Sequence, residues 1–235
     1  MSEDLSLVIQ QIEFPPEHLD ALKRITPLVI AGMERDGLPI ESGVINIGRL
    51  DPELDLAYFF FGWISECNSV IENLNLTLKD LHSLPILYRA LGGSPWSRYE
   101  LLVRVYFHEF YRFRELLNAV LSASVKRGYI TKNDQVLARD AFHSAIEGTI
   151  ELRNSLVHGH PTWHGQEHFD LNLVSMAHVR GYRLVHKGTS EELNIEVALR
   201  GACSKSATAL KTEGCKVVEL MNAFVRDFVL LTSGT

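Results

Sequence analysis

Cysteine is scarce, since the 235 residues hold only Cys67, Cys203 and Cys215. The number is odd and no C-x-x-C pair occurs, so neither a disulfide framework nor a cysteine-built zinc site is expected, and a reducing cytosol suits the chain best. Basic excess is lacking too: 23 Lys plus Arg stand against 29 Asp plus Glu, a formal charge of −6. That balance argues against broad electrostatic binding of nucleic acid and leaves room only for local contact with RNA. No apolar run approaches the roughly 20 residues that span a bilayer. The most apolar stretch, 56–64, reads as core helix, and no membrane partner is expected. The acidic opening Met1-Ser2-Glu3-Asp4 lacks the basic stretch and apolar run of an export signal. Internal repeats, low-complexity tracts, a glycine-rich phosphate loop after a strand and a serine nucleophile elbow are all absent.

What is present is a chain with 46% hydrophobic residues, enough to bury one substantial core in a single domain, 1–235. Residues 1–50 form an irregular preface, broken by Pro15, Pro16, Pro27, Pro39 and Gly43, with short helices between Pro16 and Arg35. From Asp51-Pro52, Phe59, Trp63, Val70, Leu74 and Leu78 recur at helical spacing, and residues 84–91 add a short helix of their own. Ser94 and Pro95 open the next helix, with Ser97-x-x-Glu100 as a second capping pattern, and that helix should run to Lys126, before Gly128. Thr131-x-x-Asp134 opens a further helix that closes near His158, because Gly159 suits a left-handed cap and Pro161 resists continuation. The helical core is thus 51–160. In 161–235 the apolar period shifts to two at Phe169, Leu171 and Leu173, at 182–186 and at Leu193, Ile195, Val197 and Leu199, which predicts a small antiparallel β element. A last helix over 204–231 carries Leu210, Val217, Leu220, Phe224 and Phe228, with Gly214 as a weak point. The expected class is mainly α: an up-and-down helical bundle with a small β element before its last helix.

One segment stands out chemically. On a wheel of about 100° per residue, Phe142, Ile146, Ile150, Arg153 and Val157 share one sector, so Arg153 interrupts an apolar stripe. A guanidinium there requires an anionic or carbonyl partner. Two acids also sit on apolar stripes and can orient it: Glu66, near Trp63 and Val70, and Glu109, near Tyr106 and Phe113. Asn154 and His158, four apart, share the opposite, polar face with Glu147 and Glu151. Arg153 and His158 stand about 140° apart on an unbroken helix. They converge only if the helix end redirects His158 or a second chain completes the site. The architectural alternative makes Arg153 an ion-pair anchor and His158 a capping residue.

Arg153-Asn154-x-x-x-His158 resembles the R-N-x-x-x-H motif of the HEPN superfamily, small helical-bundle proteins that include metal-independent ribonucleases. The motif's place near the end of a core helix, Glu66 as the acid of an earlier helix, and Trp163 soon after His158-Gly159 are similar to that family over 51–235. The resemblance implies cleavage of RNA without cofactor or metal. His158 would be general acid or base, Arg153 would stabilise charge on phosphorus, and Asn154 would position phosphate or His158, with His160 beside them in support. It also implies a homodimer bringing two motifs together, a defence or toxin–antitoxin setting with an antitoxin partner, and, as the other outcome, a non-catalytic dimeric binding or regulatory module.

His158, His160, His164 and His168, with Glu167 and Asp170, offer imidazoles for zinc or nickel, but their spacing matches no standard module and no metal is expected. Arg104, His108, Arg112 and Arg114 alternate with Tyr106, Tyr111 and Phe113, yet Glu100, Glu109 and Glu115 balance them, so a solvated face is the better reading.

Overall fold

The computed structural model describes residues 8–36, 50–157, 166–185, 187–190 and 192–233. Among the described residues, a 3₁₀ turn at Pro16–His18 is followed by six helices: α1 (Leu19–Asp36), α2 (Pro52–Leu91), α3 (Pro95–Arg127), α4 (Lys132–Val157), α5 (Gln166–Val179) and α6 (Ile195–Ser233). They pack as a mainly α bundle. Antiparallel neighbours are joined by pairs at two levels along each helix pair. Asp55 meets Arg127 and Asn73 meets Glu109 between α2 and α3. Gln135 meets Ser122 and His143 meets Arg114 between α4 and α3. Between α2 and α6, Phe60 packs edge-on against Phe228 and Arg89 reaches Glu196.

The helix starts are chemically specified. Asp51 accepts a hydrogen bond from the Leu54 N–H at 2.9 Å with Pro52 at the first helical position. At α4 the capping box closes both ways: the Asp134 N–H donates to Thr131 Oγ1 at 3.2 Å, and the Thr131 N–H donates to Asp134 Oδ2 at 2.9 Å. Gly128 ends α3 at φ 76°, and the next N–H, of Tyr129, reaches back to the Ser124 carbonyl at 2.9 Å. Ser94 caps α3 by position only; its hydroxyl pairs instead with Ser175 of α5 at 3.0 Å. Ser97, expected to cap, lies inside α3.

Three sequence expectations are corrected. Residues 84–91 are no separate helix: α2 continues through Pro85, with Leu81, Leu84, Pro85 and Tyr88 all buried on either side of the lost hydrogen bond. The β element is absent among the described residues apart from one antiparallel bridge, Val185 to Glu192. Residues 166–179 are helix α5, which buries Leu171, Val174, Ser175 and Ala177 at helical spacing while Phe169, Leu173 and Met176 stay exposed. Apolar residues on both sides of a short helix imitate a two-residue period. The stretch from Ile195 belongs to α6: Ile195, Leu199, Ala202 and Cys203 are buried, and Val197 is 71% exposed. Its start signal is Asn194, whose Oδ1 accepts from the Glu196 N–H at 2.7 Å.

Gly214 proves to be a point of close approach rather than weakness. A Cβ there would run into Ile9 Cδ1 and stand 2.6 Å from Tyr106 Oη, both in the core. Gly214→Ala would gain about 1 kcal/mol in helix propensity, against an overpacking cost of about 1–3 kcal/mol. The expected outcome is a net loss of about 1 kcal/mol in urea unfolding. A raised midpoint would show that Ile9 yields freely.

Candidate functional site

The last turns of α4 carry the candidate site, and the packing of that helix on α3 and α6 determines which of its faces is free. Phe142, Ile146 and Thr149 are buried and Ile150 packs against the core, whereas Glu147, Glu151 and Asn154 are exposed. The polar face expected for Asn154 is therefore present. Arg153 lies near the end of α4, but its side chain falls outside the described residues, as do residues 158–165 with His158, His160 and His164; His168 lies in the first turn of α5, its side chain likewise outside the description.

Of the two acids proposed to orient Arg153, Glu66 is exposed on α2, so it does not belong to the buried stripe of Trp63 and Val70. Its wheel position lies at the stripe's edge, about 100° from its neighbour Cys67, which is fully buried. Glu109 is 16% exposed and accepts hydrogen bonds from Arg112 Nη1 at 2.8 Å and Asn73 Nδ2 at 3.0 Å. It serves to join α3 to α2.

The sequence reading missed Glu213. On α6 it accepts from the buried Thr149 hydroxyl at 2.8 Å and from Lys216 at 2.7 Å. Thr149 precedes Arg153 by one helical turn on the same side of α4, so Glu213 is a carboxylate anchored beside that turn. Burial works against its ionisation, but hydrogen bonds from Lys216 and Thr149 and the Lys216 charge outweigh it and hold its pKa below the usual range. The signal was available: Leu210, Glu213 and Val217 repeat the acid-on-an-apolar-stripe pattern used to choose Glu66 and Glu109.

Along the polar side of α4 runs a groove of about 460 Å³, lined by Arg114 of α3 and by Asp140, His143, Ser144, Glu147 and Glu151. The Arg114 Nε–H donates to His143 Nε2 at 3.0 Å, which requires that nitrogen to be unprotonated. Desolvation, then the nearby Arg114 and Arg139 charges, accordingly lower the His143 pKa. Three carboxylates, of Asp140, Glu147 and Glu151, share the groove with the Arg114 guanidinium.

Thiol chemistry finds no support at Cys67 or Cys203, because burial pushes both pKa values up to about 12. Among the described residues no group of three His, Cys, Asp or Glu side chains is placed to hold a metal ion. Among them, too, no helix is long and apolar enough to cross a membrane. No family model, curated protein or solved structure matches the chain.

Proposed function

We propose that the chain is a metal-independent endoribonuclease of HEPN type. The observation that carries the reading is the placement of Arg153-Asn154 on the final turn of α4, a helix packed within a bundle, with His158 following. A general acid or base needs a solvent-reached position, and the exposed Asn154 face of α4 offers one. In the proposed reaction the RNA 2′-oxygen loses its proton and bonds to phosphorus. The bond from phosphorus to the 5′-oxygen breaks, and a proton is delivered to that leaving oxygen. His158 handles one of these protons, Arg153 offsets the extra charge on phosphorus, and Asn154 holds the phosphate.

The net charge of −6 argues for a local rather than a broad contact with RNA. A homodimer, as the resemblance implies, would bring two copies of the motif together and complete the site wherever the helix end does not itself redirect His158 toward Arg153. Light scattering tests it, and a monomer at micromolar concentrations contradicts it. The second reading, a non-catalytic dimeric binding module, is favoured by the acidic groove beside the motif. An antitoxin partner and a defence role belong to the first reading.

The two readings part on substrate chemistry. With EDTA present, the ribonuclease should cut unmodified RNA and spare DNA and 2′-O-methyl RNA, since the attacking oxygen is the 2′-hydroxyl. Equal cutting of methylated RNA would contradict internal attack, and dependence on added metal would redirect attention to the 158–168 histidines.

A further inference from the structure

Residues 8–15 precede the 3₁₀ turn without forming helix or strand, yet they are held to the bundle by paired side-chain amides. Asn75 Oδ1 accepts from the Ile9 N–H at 2.8 Å, and Asn75 Nδ2 donates to the Ile9 carbonyl at 2.9 Å. Two helical turns earlier on α2, Asn68 repeats the pair on Ile12, at 2.8 Å and 3.1 Å. From α6, Asn222 accepts from the Glu13 N–H at 3.3 Å. Seven residues of helix and three of extended chain both rise about 10 Å, so the segment runs extended and antiparallel to α2.

Each asparagine presents to the backbone what a neighbouring strand would: one acceptor and one donor aimed at a single residue. Such contacts are indifferent to the side chain of the residue they hold. Selectivity comes from two pockets. Ile9 and Ile12 are almost wholly buried, while Val8, Gln10, Gln11 and Glu13 face solvent. Ile9 enters beside Tyr106 and over Gly214, the position where no side chain fits. Backbone pairing plus pockets for selected side chains is the logic by which sheet edges bind extended peptides. If the segment merely covered the core, its two isoleucines would suffice without both amide pairs.

We propose that the groove between α2 and α6 is a recognition site for an extended peptide carrying two aliphatic residues three apart. In this structure residues 8–15 fill it from within the chain, and a partner protein's segment of the same chemistry takes their place when they lift away.

The test uses the full chain and a fluorescent peptide with the sequence of residues 8–15. Wild type, with its groove filled, should bind the peptide weakly. Ile9→Asp/Ile12→Asp, which expels the internal segment and leaves every groove residue intact, should bind at least about tenfold tighter. Adding Asn68→Ala and Asn75→Ala to that variant should abolish the gain. Equal binding by wild type and the aspartate variant, or binding indifferent to the asparagines, overturns the proposal. Should the aspartate variant fail to fold by circular dichroism, hydrogen exchange in wild type decides. The Ile9 and Ile12 amides should exchange about a hundredfold faster than buried α2 amides, as a segment that opens by itself does. Exchange at the α2 rate would make the segment an integral part of the core and sink the idea.

Discussion

Tyr106→Ala is expected to cost about 3–5 kcal/mol of stability, the range for deleting a large aromatic from a packed interior. The ring is fully buried and its hydroxyl donates to the Leu210 carbonyl at 2.6 Å, linking the middle of α3 to α6. It also stacks near Phe110 and meets Phe107 edge-on, so a void there would unsupport two further aromatics. Tyr106→Phe keeps the ring and loses only the hydrogen bond, for a smaller cost of about 1 kcal/mol. Urea unfolding with unchanged slope measures both. Burial pushes the Tyr106 phenol far above its ordinary pKa. Because the folded pKa is raised, this contribution is intact below the ordinary tyrosine range and is lost as pH rises above about 10. An alanine variant within 1 kcal/mol or so of wild type would mean that α3 and α6 meet differently.

His158→Ala should slow RNA cleavage by about 10²–10⁴-fold, the usual contribution of a positioned acid or base. Arg153→Lys should also lose activity, since an ammonium supplies charge without the guanidinium fork. Equal activity in wild type and His158→Ala would point to a contaminant or another site. Loss of folding together with activity would favour the architectural role over catalysis.

The sequence was most informative where local chemistry sets a boundary. Asp51-Pro52, Thr131 with Asp134, and Gly128 each announce a helix end through hydrogen bonds made within a few residues, and all three form. It misled where burial, a tertiary property, had to be inferred from periodicity. Phe169, Leu171 and Leu173 alternate, but only Leu171 faces the core; the other two lie on the outer side of α5. Glu66 and Glu109 looked alike as acids on stripes, yet one is exposed and the other paired with Asn73 and Arg112. Glu213 was overlooked because its relation to α4 depends on how α6 returns along the bundle, 64 residues after Thr149. The clamp on residues 8–15 was invisible for the same reason: Asn68 and Asn75 read as ordinary polar positions until the chain that they hold is in place.

The chemistry of new RNA ends left by purified wild-type protein in EDTA tests the central claim most directly. Internal attack by the 2′-hydroxyl predicts 2′,3′-cyclic phosphate on one fragment and a 5′-hydroxyl on the other, with neither appearing when His158→Ala is used. Fragments ending in 3′-hydroxyl and 5′-phosphate, or RNA left whole across varied substrates, would contradict it.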